Sequence, residues 1–157
     1  MRLYIIRHGE TSWNKAKRLQ GRKDIMLDAD GLRLAEKTGE GMQDIDFDLV
    51  ISSPLIRAKQ TAELVLAGRQ IPMITDKRII EMSFGKWEGE SVRESTVLPA
   101  DYVDKFYHDP YHCPKAPGGE SFQDVLNRTA DFYQSLIKNE AYRDANILIS
   151  THGAASR

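Results

Sequence analysis

Apolar residues in this chain come either as short unbroken runs or at every third and fourth position, and the two patterns alternate. Leu3-Tyr4-Ile5-Ile6 opens the chain as such a run and leads straight into Arg7-His8-Gly9. Phe47-Asp48-Leu49-Val50-Ile51-Ser52-Ser53, Pro72-Met73-Ile74-Thr75 and Asn146-Ile147-Leu148-Ile149-Ser150-Thr151 are similar. Runs of this length with consecutive apolar positions predict strands covered on both faces.

The intervening segments read as helices. Leu27-Asp28-Ala29-Asp30-Gly31 has the look of a helix start, with Leu32, Ala35 and Met42 on one face. Gly39 and Gly41 weaken that helix by about 1 kcal/mol each relative to alanine, and are expected to allow close packing on the sheet. Ser53-Pro54 predicts a capped helix start, followed by Leu55, Ala58, Ala62, Leu64, Val65 and Leu66. Ser121 with Asp124 approximates a capping box ahead of Phe122, Val125, Leu126, Thr129, Tyr133, Leu136 and Ile137.

Strands alternating with helices predict an α/β fold, a three-layer α/β/α arrangement around a parallel or mostly parallel sheet. At 157 residues and 41% hydrophobic content the chain can build one core, so residues 1–157 are expected to form a single domain. Three stretches lack a period. Residues 12–24 are polar and basic and read as a loop over a site. Glu81 to Gly89 mixes glycine, aromatic and charged residues as an ordered functional loop does. Residues 90–119 read as short helical pieces, with Tyr102, Phe106, Tyr107 and Tyr111 expected along one side of a crevice.

Charge narrows the partners. Lys and Arg number 22 against 23 Asp and Glu, so no overall potential favours nucleic acid or a membrane surface. Positive potential is local: Lys15, Lys17, Arg18, Arg22 and Lys23 crowd the first loop and can attract an anion. No apolar run approaches the ~18 residues of a membrane helix. A lone cysteine, Cys113, and an N-terminus without a signal-peptide pattern suggest the cytoplasm. His108, His112 and Cys113 match no strong metal spacing, and neither a Walker sequence nor Gly-x-Gly-x-x-Gly occurs. No metal and no cofactor are expected.

The chemistry concentrates at strand ends, where parallel sheets place their ligands. Arg7 and His8 follow the first strand, Arg57 falls in the first helical turn after the second, and His152-Gly153 follows the last. Two guanidinium groups and two imidazoles around one point suit a phosphoryl group, whose charge is spread over three oxygens. His8 reads as the nucleophile, neutral at its attacking nitrogen. Glu81 sits after a strand and can act as proton donor and acceptor. Glu10 competes for that role, although its place in the first turn suggests positioning or loop-holding.

Arg7-His8-Gly9-Glu10-Thr11, Asn14, Gln20-Gly21, Ser52-Ser53-Pro54-Leu55-Ile56-Arg57-Ala58, Glu81 and Thr151-His152-Gly153 together resemble the histidine phosphatase superfamily, whose best-known branch is the phosphoglycerate mutases. The resemblance spans essentially the whole chain. It implies a phosphoglycerate mutase-like fold with catalytic His8, Arg7, Arg57, Glu81 and His152. It also implies substrate-binding Gly9, Glu10, Thr11, Asn14, Gln20, Gly21 and Gly153, and a small phosphorylated metabolite as partner. Such proteins continue with a further helix and strand, so the chain is expected to be C-terminally incomplete. Met82 after Glu81, where the mutases carry arginine, and Pro117-Gly118-Gly119-Glu120-Ser121 resemble the phosphatase branches. Hydrolysis of a phosphate monoester through a phosphohistidine is the reading that follows. A mutase and a poorly active phosphate-binding regulatory module are the alternatives.

Overall fold

Strand residues point alternately into two apolar layers. Val50 and Leu148 pack with Phe47, Ala62, Val65 and Leu66 on one face, joined by Tyr4 and Ile6. Ile51, Ile147 and Ile149 pack with Ile79, Phe132 and Leu136 on the other, joined by Leu3 and Leu49. The computed structural model describes residues 1–156. Its elements in chain order are β1 (Arg2–Arg7), α1 (Ser12–Lys15), α2 (Ala29–Gly41), β2 (Leu49–Ser52), α3 (Ile56–Leu66), β3 (Met73–Thr75), α4 (Tyr102–His108), α5 (Phe122–Ile137) and β4 (Asn146–Thr151). The sheet order is β1-β4-β2-β3, and every pairing is parallel. Helices α2 and α3 cover one face and α5 the other, giving the three layers the alternation predicts.

The register positions the chemistry. Arg7 lies opposite Thr151, and Ser52 opposite Ser150, so β1, β4 and β2 end almost in line. The next residues on all three, His8, His152 and Ser53, therefore leave the sheet side by side. Main-chain bonds from His8 N–H to the Thr151 carbonyl at 3.0 Å and from Ser53 N–H to the Ser150 carbonyl at 2.9 Å extend the ladder to that edge. The last strand to form in sequence lies between the first two, the kind of switch in strand order that opens a crevice at the carboxyl ends.

Three local expectations are corrected. Helix α3 begins at Ile56 with Leu55 as its cap, and the Ile56 N–H is received by the Asp24 carboxylate at 2.7 Å rather than by Ser53. A side chain distant in sequence supplies the cap. Gly39 faces α3 and not the sheet: a β-carbon there would stand 2.8 Å from the Val65 carbonyl oxygen. On α5, whose Ser121/Asp124 capping box is present, Phe132 fills the core, while Leu126 and Ile137 are 48% and 71% exposed.

A further apolar cluster lies beyond the sheet edge, where Leu19, Met82, Phe84, Trp87, Tyr102 and Ala154 pack together. It anchors the aperiodic loops that surround the strand ends. Tyr102 meets Trp87 edge-on at 5.0 Å and Phe106 lies 6.0 Å away, so both belong to this core. Tyr107 and Tyr111 are 60% and 77% exposed, and Tyr111 lines a cavity with Phe122, Ala154 and Ala155.

Candidate active site

His8 is the first residue beyond β1 and is buried. Its Nδ1 lies 2.7 Å from the Gly9 carbonyl. A carbonyl only accepts, so Nδ1 carries the proton and Nε2 keeps its lone pair. The Arg57 Nε–H donates to that Nε2 across 3.2 Å. Burial first, then the charges of Arg57 and Arg7, push the His8 pKa from 6.5 down to about 3, against the opposing effect of the Gly9 carbonyl. The ring is a neutral base at any ordinary pH.

Arg57 is completely buried at the start of α3. Besides His8 it donates to the carbonyls of Lys23 and Gly21, both at 2.8 Å. Three of the five guanidinium N–H groups are thus used, and two remain for an anion. Burial disfavours its charge, and the carboxylates of Glu81, Asp24 and Glu88 counter that. The basic first loop is fastened over the strand ends through its backbone.

His152 follows β4, fully buried, with its ring centroid 5.1 Å from that of His8. Its Nε2 pairs with Ser53 Oγ at 2.7 Å, and its Nδ1 has no hydrogen-bond partner. Burial, then Arg57, His8 and Arg7, hold its pKa well below 6.5. Arg7 is exposed and makes no side-chain hydrogen bond with the described residues, so its fork is free. A β-carbon on Gly153 would stand 3.5 Å from the Arg7 guanidinium carbon, an ordinary contact distance, so Gly153 lies against that group.

Glu81 places its carboxylate against this group. Oε1 accepts from Met82 N–H at 2.9 Å and from Ala154 N–H at 3.2 Å. Enclosure of the carboxyl raises its pKa, and the two N–H donors with Arg57 and Arg7 only partly offset that. A carboxyl tuned upward beside cations is suited to giving up and retaking a proton.

The other residues named from the sequence divide into four sets. Gly9 and Gly21 shape the backbone. Gly9 N–H is held by Thr61 Oγ1 at 3.0 Å, and a β-carbon on it would strike the Gly31 carbonyl oxygen at 2.6 Å. Gly21 has φ +54° and accepts from Arg57. Thr11 and Asn14 satisfy one another in a capping box on α1, with the Asn14 amide nitrogen left over. Gln20 is buried, and its Oε1 has no partner.

Glu10 belongs to an acidic cluster. Its carboxylate converges with those of Asp28 and Asp30 within 4.8 Å, where the Lys15 ammonium pairs with Asp28 at 3.0 Å and with Asp30. His108 and His112 pair with Asp104 and Asp109 on the surface, each at 2.8 Å. No helix among the described residues is long and apolar enough to cross a membrane.

Two contributors escape sequence reasoning. Glu88 accepts from Arg22 N–H at 2.9 Å and Phe84 N–H at 3.3 Å, joining the loop before the site to the loop after Glu81. Ser53 holds His152. Glu88 reaches Arg22 and Ser53 reaches His152, partners 66 and 99 positions away, and no local spacing marks either link.

The chain is similar to known proteins over nearly its whole length. The adenosylcobalamin/alpha-ribazole phosphatase of Escherichia coli (strain K12) is 35% identical over 152 residues, covering 97% of this chain and 73% of the relative. The protein named Probable phosphoglycerate mutase GpmB of Proteus mirabilis is 31% identical over 155 residues, covering 99% and 71%. The structure of Bacillus stearothermophilus YhfR superposes with a TM-score of 0.88 at 35% identity, over 98% of this chain and 75% of that one. The sequence profile of the histidine phosphatase superfamily (branch 1) matches residues 3–157, and the chain belongs to that family.

Proposed function

We propose that this protein hydrolyses a small-molecule phosphate monoester through a phosphohistidine on His8. The observation that carries the reading is the state of His8: neutral, with Nδ1 tied to the Gly9 carbonyl and the Nε2 lone pair turned to Arg57. That atom is a nucleophile already oriented beside the cation that a phosphoryl oxygen would seek.

The reaction follows from the groups present. A phosphoryl oxygen displaces Nε2 as the acceptor of the Arg57 Nε–H, with Arg7 and His152 as further donors. The Nε2 lone pair forms a bond to phosphorus as the bond from phosphorus to the ester oxygen breaks. Glu81, whose enclosure shifts its pKa upward and favours the protonated form, gives its proton to the departing alkoxide. Water then attacks phosphorus and passes a proton to the Glu81 carboxylate. The N–P bond breaks, its electron pair returns to Nε2, and inorganic phosphate leaves.

The likeness to GpmB keeps a second outcome in view, in which the phosphoryl group returns to another oxygen of the substrate. Met82 beside Glu81, in place of a cation, supports water as the acceptor. Incubating the protein with a panel of phosphorylated metabolites, while following both inorganic phosphate and isomerised product, separates the two. Hydrolysis predicts stoichiometric inorganic phosphate without isomer. Isomer without net phosphate would replace the proposal by the mutase reading. A His8→Ala protein with unchanged turnover would exclude the nucleophile.

A further inference from the structure

The second imidazole of the pocket poses a question of tautomer. A charged imidazole would donate from either nitrogen unaided, but His152 is held neutral by burial and neighbouring cations. A neutral ring has a single proton, and only one placement makes its free nitrogen a donor. Ser53 and His152 are both 0% exposed, with 2.7 Å between Oγ and Nε2.

The Ser53 hydroxyl also receives the Leu55 N–H at 3.4 Å. It has one proton to give and two lone pairs. Were His152 to donate from Nε2, the hydroxyl would accept twice, its own proton would be stranded in the interior, and Nδ1 would offer a lone pair to an incoming anion. With Ser53 donating to Nε2, the hydroxyl is satisfied on both sides and the imidazole proton resides on Nδ1, the buried atom that lacks a partner. We infer that Ser53 is a positioning residue: by donating to Nε2 it holds His152 as the Nδ1–H tautomer and so presents a donor to a phosphoryl oxygen. This also accounts for the helix start, since the hydroxyl is committed to His152 while Asp24 caps α3. The inference rests on reading this pocket as a phosphoryl site.

Long-range proton–nitrogen spectra of protein carrying ¹⁵N-histidine test it without substrate. Wild type is expected to show His152 protonated on Nδ1 and bare on Nε2. In Ser53→Ala that preference should be lost and both affinity for inorganic phosphate and kcat/KM on p-nitrophenyl phosphate should fall roughly 10- to 100-fold. The His8 signals should stay in place, and Ser53→Thr should restore both readouts. Wild-type His152 protonated on Nε2 overturns the inference, as does a Ser53→Ala protein with unchanged tautomer and phosphate affinity. Because the tautomer in wild type needs no variant, a poorly folded Ser53→Ala leaves the test standing. A protein that binds phosphate with the Nδ1–H form but turns over no ester would instead overturn the hydrolase reading alone.

Discussion

The Arg57 Nε–H and the His8 Nε2 lone pair face each other across 3.2 Å, so a guanidinium donor rests on the atom proposed to attack. The same guanidinium holds the Gly21 and Lys23 carbonyls, so a single side chain couples the end of β1 to the loop above it. Charge, tautomer and loop position are thereby linked in one group.

Arg57→Lys tests that coupling. A lysine keeps the charge but cannot span three acceptors with a planar fork. We expect kcat/KM to fall roughly 10²- to 10³-fold, with faster proteolytic cleavage in residues 18–24. Loss of activity with no change in cleavage would mean that Arg57 does not hold the loop.

Buried His8 also shapes stability. Its folded pKa of about 3 lies below the ordinary 6.5, so the unfolded chain binds the proton more readily. The contribution of the neutral ring is present above pH 6.5 and is lost as pH falls towards 3. Glu81, with a raised pKa, acts in the opposite sense: its contribution is present below the ordinary 4.5 and is lost as pH rises through its folded value. Urea midpoints at pH 7 and pH 5 should therefore differ more in wild type than in His8→Gln. Equal differences would contradict the depressed pKa.

Glu81→Gln separates the two proton transfers. p-Nitrophenolate needs little help to leave, whereas an alkoxide needs a proton. With p-nitrophenyl phosphate the variant should release a burst of about one equivalent and then turn over slowly, since water lacks its base. With an alkyl phosphate there should be no burst, and kcat should drop roughly 10²- to 10⁴-fold. Equal losses without a burst on either substrate would remove Glu81 from the second step.

Phe132 and Ile137 make a paired test of the core. Phe132 is 1% exposed between α5 and the sheet, and Ile137 is 71% exposed at the helix end. Phe132→Ala should cost about 3–5 kcal/mol in urea unfolding, and Ile137→Ala less than about 0.5 kcal/mol. Similar values for both would mean that the α5 face is wrongly placed.

What could be read from the chain alone follows the reach of each signal. The apolar runs of β1 and β4 and the Ser121/Asp124 box are local, and the elements lie where that spacing puts them. The convergence of Arg7, His8, Arg57 and His152 follows from one rule about strand ends, because parallel register carries it from segment to segment. Ser53 defeats local reasoning: serine before proline is a good cap, yet its hydroxyl goes to an imidazole 99 positions away. Glu10 shows the same limit, since its place in the first turn says nothing of the Asp28 and Asp30 carboxylates that lie within 4.8 Å of its own. Phe132 cannot be singled out locally because several α5 faces carry apolar residues, and only the sheet decides which is inside.

Trapping the intermediate tests the central claim most directly. Protein quenched in base during turnover of p-nitrophenyl phosphate, then digested and mapped by mass spectrometry, should carry a base-stable, acid-labile phosphoryl group on the peptide containing His8, attached at Nε2 by ³¹P NMR. Sustained turnover with no phosphoryl group on the protein, or with the group on another residue, would contradict the account.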